Sequence, residues 1–132
     1  MSIPPEQDDY VKPTTGFWQE ILPADDPLTD SGRQAAAPYR YGYPALLPDG
    51  RILVLPLRRL PDGGRAVASL IANQASFAVT EVLAGHMADK ARAIGADLVI
   101  GVPTLGLVFA PIVARLLGHP NFVPLGYSRK FW

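Results

Sequence analysis

Thr104, Leu105 and Gly106 stand just after a short apolar run, Leu98 to Val102, and just before a stretch with helical spacing. A hydroxyl, a glycine and a helix start in that order are the parts of an anion cradle. Thr104 can cap the helix, Gly106 allows close backbone approach or a positive φ, and several N–H groups then point into one concavity. Ligands of open α/β sheets gather at the carboxyl ends of strands, which is where this loop falls. Farther along, Phe122 to Leu125 reads as a second short strand followed by the basic pair Arg129-Lys130. In a parallel β-α-β unit both loops lie at one sheet edge, so loop and basic pair would face a single anionic ligand. Taken alone, a strand-to-helix turn of this length is an ordinary connection and a basic pair is an ordinary solvated face.

The elements that must position these residues follow from periodicity. Leu98 to Val102 is rich in β-branched residues and fits a strand covered on both faces, and Pro103 ends its ladder. A helix starting at Leu107 or Val108 and running to Leu117 puts Pro111 in the first turn, where no N–H is needed, with Gly118 after the end. A longer helix spans Asn73 or Gln74 to Ile94, with Val79, Val82, Leu83, Met87, Ala91 and Ile94 as its apolar stripe. Asn73 or Ser76 caps its start and Gly95 fits the left-handed position past its end. Upstream, Tyr39 to Leu47 and Arg51 to Leu57 flank Pro48-Asp49-Gly50 and predict a β-hairpin, and Pro61 to Gly64 predicts a second turn or loop. Ten of the fourteen prolines lie at or before Pro61, which limits helix there. Residues 1–37 read as an arm in which Phe17, Trp18, Ile21 and Leu22 suit a helical turn or two. Residues 38–132 read as the α/β domain.

Composition narrows the function classes. The chain has 132 residues, enough for about one domain, and is 48% hydrophobic. Twelve basic and twelve acidic residues cancel, so no broad field recruits nucleic acid or an anionic membrane, and any anion site must be local. With no cysteine, thiol catalysis and thiolate metal sites are excluded. His86 stands five residues from Glu81 and three from Asp89, which is not a zinc-helix spacing. His119 lies in a turn, and no serine sits in a nucleophile elbow. No metal site is expected. Tyr39, Tyr41 and Tyr43 alternate at strand period, which suits stacking on a base and a half-buried strand face equally well, and Arg58-Arg59 reads as a solvated pair. Lacking a signal-like N-terminus and any long apolar run, the chain is expected to be soluble and cytoplasmic.

The strand-plus-loop Val99-Ile-Gly-Val-Pro-Thr-Leu-Gly-Leu107 and the strand-plus-basic-pair Val123-Pro-Leu-Gly-Tyr-Ser-Arg-Lys130 resemble the type I phosphoribosyltransferases, the adenine phosphoribosyltransferase-like group most closely. Leu70-Ile-Ala-Asn-Gln-Ala-Ser76 resembles the same group less specifically. The resemblance implies a partial open parallel sheet of the phosphoribosyltransferase type, with an N-terminal arm and hairpin. It implies transfer of phosphoribosyl from phosphoribosyl pyrophosphate to a nitrogenous base, in nucleotide salvage or a related pathway, with Mg2+ carried on the substrate. Thr104, Leu105, Gly106, Arg129 and Lys130 would then bind pyrophosphate, no catalytic residue being assigned. It also places a non-proline cis peptide at Pro103–Thr104 or Thr104–Leu105.

The pattern departs from the family where Leu105 replaces a basic residue found in many relatives. The family's acid-pair strand, expected after the basic pair, has only an imitation in Ile21 to Gly32. There Asp25 and Asp26 precede the loop instead of following it and Pro23 breaks the strand, so this segment reads as an acidic loop. The chain is accordingly expected to be the N-terminal portion of such a protein, inactive alone and prone to associate as a homo-oligomer. The alternative is a non-catalytic nucleotide-binding or partner-binding homologue.

Overall fold

The structure is a computed structural model and describes residues 16–28 and 36–128. It is mixed α/β, and its chain divides between Leu70 and Ile71 into two compact units.

In the first unit β1 (Gly42–Leu46), β2 (Ile52–Arg59) and β3 (Ala66–Ala68) form an antiparallel sheet in the order β1-β2-β3. The hairpin expected around Pro48-Asp49-Gly50 is there, with shorter strands than periodicity suggested for β1 and a longer β2. Its turn closes through Gly50 N–H to the Leu47 carbonyl at 2.9 Å, and Asp49 pins Arg51 at 2.7 Å. The turn at Pro61 to Gly64 joins β2 to β3, a strand too short to carry an alternation signal.

Pro56 lies inside the central strand, where a missing N–H ordinarily breaks a ladder. Gly42 opposite it on β1 is a pair without ladder bonds, since Leu57 is the residue that donates to the Tyr41 carbonyl. On the other side Leu57 pairs with Ala68, so Pro56 stands opposite Ser69, just past the end of β3. Ser69 N–H still donates to the Pro56 carbonyl at 3.3 Å, but the Ser69 carbonyl has no proline N–H to accept. The Trp18 indole supplies one at 2.9 Å, and the ring is only 2% exposed. Trp18 has φ 60°, and no α-helix occurs from 17 to 28, contrary to the helical turns expected there. Instead Leu22 and Ile52 exchange two backbone bonds, and Leu22, Leu28 and Ile52 form a small core with Val54. Pairing with β2 satisfies the backbone of this segment better than an isolated turn of helix.

In the second unit a 3-10 turn, Ala72–Gln74, precedes α1 (Phe77–Ala93). Then come β4 (Ile100–Gly101), α2 (Gly106–Leu116) and β5 (Val123–Pro124), with β5 parallel to β4. Helix α1 starts later than expected because Ser76 is its cap, its side chain accepting from Val79 N–H at 3.2 Å. Gly95 takes φ 68° past its end, as expected. The buried line is Val79, Thr80, Ala84 and Ala88, whereas Met87 and Ile94, assigned to the stripe from periodicity, are exposed. Alanines at the contact let α1 lie close to α2, and the core is completed by Val99, Phe109, Ile112, Val113 and Leu117. Arg92 donates to the Leu116 carbonyl at 3.0 Å, tying the two C-termini together. Among the described residues no helix is long and apolar enough to cross a membrane.

Replacing Trp18 by Phe keeps an aromatic ring but removes the donor to Ser69. Leaving that carbonyl unpaired should cost about 1–3 kcal/mol, read as a lower urea midpoint, and an unchanged midpoint would show that the carbonyl is satisfied otherwise.

Candidate functional site

The loop after β4 is built from the strand outward. Val99 faces the helices and packs on the Ala84, Ala88 and Val113 core. Gly101, next on that face, is the position at which strand and helix come closest. A Cβ there would lie 2.9 Å from both Ala110 Cβ and Leu107 Cδ2, and 3.4 Å from Phe122 Cε2. Glycine is therefore what lets α2 sit directly on the strand. This requirement was not assigned from the sequence; a glycine inside an apolar strand run is the signal that marks it.

The outward face differs from expectation. Leu98, Ile100, Val102, Val123 and Leu125 are 40–56% exposed, so β4 and β5 are covered on one face and not on both. The physical reason is the connection itself: α2 crosses from β4 to β5 on one side of the pair, and α1 packs against α2 on that side. Five alternate apolar residues are left outward, and β-branched composition alone cannot tell one covered face from two.

Pro103 to Leu105 turns the chain from β4 into α2, and the Pro103–Thr104 peptide is cis, at one of the two positions the resemblance indicated. The structure brings Thr104, Leu105 and Gly106 together, with three adjustments to their roles. Leu105, not Thr104, occupies the N-cap position, and no side chain caps α2. Gly106 is the first helical residue and is not in the left-handed region. A Cβ on it would meet only ordinary contacts, Val102 Cβ at 3.6 Å being the nearest. Because α2 begins at Gly106, Pro111 falls in the second turn and not the first, and the burial of Ala110, Val113 and Ala114 holds the helix around it.

The loop's polar groups define its chemistry. Leu107 N–H donates to the Thr104 carbonyl and Val108 N–H to the Leu105 carbonyl, tightening the first turn. The N–H groups of Thr104, Leu105 and Gly106 have no acceptor among the described residues. Three consecutive donors at a helix N-terminus, with exposed Thr104 and Leu105, make a surface suited to an anion. The residues after β5, Gly126 to Ser128, leave the sheet at this same edge, because β4 and β5 are parallel. Arg129 and Lys130 lie outside the described residues. His86 and His119 are both half-buried, and among the described residues no cluster of three or more metal-ligating side chains occurs.

Gly101→Ala should destabilise the protein by about 1–3 kcal/mol through overpacking against α2, whereas Gly106→Ala should change stability by less than about 1 kcal/mol. Thermal melts of the two variants check this, and equal effects would remove Gly101 from its place as the close contact. No family model, curated protein or solved structure matches this chain.

Proposed function

We propose that this chain carries the pyrophosphate-binding loop of a type I phosphoribosyltransferase-like protein, at Thr104 to Gly106. The observation that carries the reading is the run of three backbone N–H groups without a described acceptor, at a strand-to-helix junction on the carboxyl edge of a parallel β-α-β unit. The resemblance of Val99 to Leu107 and of Val123 to Lys130 adds the substrate class.

In the reaction so implied, a ring nitrogen of the base attacks C1 of the ribose and forms the N–C bond. The C1–O bond breaks and its electron pair leaves on pyrophosphate, while the nitrogen's proton passes to solvent. Magnesium arrives with the phosphoribosyl pyrophosphate as part of the substrate. Positive charge develops on the sugar and negative charge on the leaving group, so donors fixed at the pyrophosphate stabilise the transition state. Thr104, Leu105 and Gly106 would supply those donors from the backbone, which explains how Leu105 stands where many relatives have a basic side chain. Arg129 and Lys130, next in the chain after Ser128, would offset the remaining charge.

Helix-terminus donors contribute about 0.3–1 kcal/mol to an anion at exposed sites and up to about 2 in partly buried geometry. The chain should therefore bind magnesium pyrophosphate weakly and lose affinity as salt rises. Calorimetry should give a several-fold loss with Gly106→Val, whose branched side chain crowds the donors, and again with Lys130→Ala. Unchanged affinity in both folded variants would place the anion elsewhere.

A further inference from the structure

We propose that the β2–β3 hairpin of the first unit is a second anion site, for a phosphoryl group, built on Arg59 and Arg65. This is independent of the loop at Thr104.

The turn and the two arginines are shaped together. Arg59 is the last residue of β2 and Arg65 immediately precedes β3, so both guanidinium groups flank Pro61-Asp62-Gly63-Gly64. Arg59 Nε donates to the Gly63 carbonyl at 3.0 Å. Gly63 has φ 71° and lies so close to this side chain that a Cβ on it would stand 3.2 Å from Nη2. A side chain on Gly63 would be strained at this φ and would make the guanidinium give by a few tenths of an ångström, so glycine suits the position beside Arg59. Arg65 is held from the other side by Asp62, through Nε at 2.7 Å and Nη2 at 2.6 Å. Those bonds use two of its five N–H donors.

Between them is a recess of about 250 Å³, lined by Arg59, Gly63, Gly64, Arg65 and Ala66. That is smaller than the roughly 300–1,000 Å³ of pockets that enclose a whole organic ligand, and suits a compact anion. Nothing lies within 4 Å of where a Gly64 side chain would begin, and the Gly64 N–H donates to Asp62 Oδ1 at 3.2 Å, so a ligand reaches that donor by displacing the carboxylate. Charge agrees with size. At the recess Arg59 and Arg65 stand with the one carboxylate of Asp62, a local charge of +1 in a chain that is neutral overall. Arginine's planar fork matches two phosphoryl oxygens at once, which a lysine does not. The Asp62 pair is solvent-exposed, and such pairs are weak enough to open to a doubly charged competitor.

The test is a ¹H–¹⁵N spectrum of the full chain titrated with inorganic phosphate, against chloride at equal ionic strength. Saturating shifts are expected at the Gly63, Gly64 and Arg65 amides with phosphate and not with chloride. Arg59→Gln and Arg65→Gln should each weaken them at least tenfold, and Arg59→Lys should restore only part. A parallel titration with ribose 5-phosphate separates the sources: tighter binding of the ester assigns the site to a sugar phosphate, equal binding to the free anion. Absence of saturating shifts at these amides, or shifts unchanged in both glutamine variants with dispersed spectra, would overturn the proposal. Shifts confined to Thr104 to Gly106 would overturn it as well, while leaving the first site standing.

Discussion

The second unit depends on how closely a strand and a helix can approach. Gly101 is the point where β4 meets α2, and the 2.9 Å separations around its absent Cβ show that no other residue fits without movement. From that contact the rest follows. Small residues continue the theme on the helices, where Ala84 and Ala88 of α1 and Ala110 and Ala114 of α2 are buried. With the Arg92 bond to Leu116 joining their C-termini, the two helices run in the same direction, and the N-terminus of α2 is held at the edge where β4 ends. The three amides of the loop are thus held in place by packing of apolar atoms some residues away.

The first unit solves a different problem. A fully buried proline in its central strand removes one ladder donor, and the partner carbonyl of Ser69 is then served by an indole from a segment fifty-one residues earlier. Breaking a backbone pattern and repairing it with a side chain makes the fold of Gly16 to Leu28 conditional on the sheet. That is why the segment is extended, with Leu22 bridged to Ile52, although its apolar spacing suits a helix equally well. The same sheet ends in a turn whose glycine and arginine are mutually fitted, so the geometry of Arg59 also derives from strand register.

Local chemistry was readable wherever a feature is closed within a few residues. The turn at Pro48-Asp49-Gly50, the left-handed Gly95 and the strand, loop and helix order around Pro103 are fixed by φ preferences and local hydrogen bonds that neighbours cannot override cheaply, while Ser76 was one of two caps the residues allowed. Thr104, Leu105 and Gly106 could be singled out for the same reason, as a strand end running into a helix start. Tertiary structure decided everything that depends on distant partners. It placed Gly106 inside the helix and Gly101 at the close contact, and left one face of β4 and β5 open. It turned Trp18 into a donor, set Arg59 against Gly63, and buried alanines in place of the larger residues Met87 and Ile94. Periodicity reports that a segment has an apolar side. Which residues are covered depends on how near the partner element can come, and that distance is set by the smallest side chains at the contact, far apart in the chain.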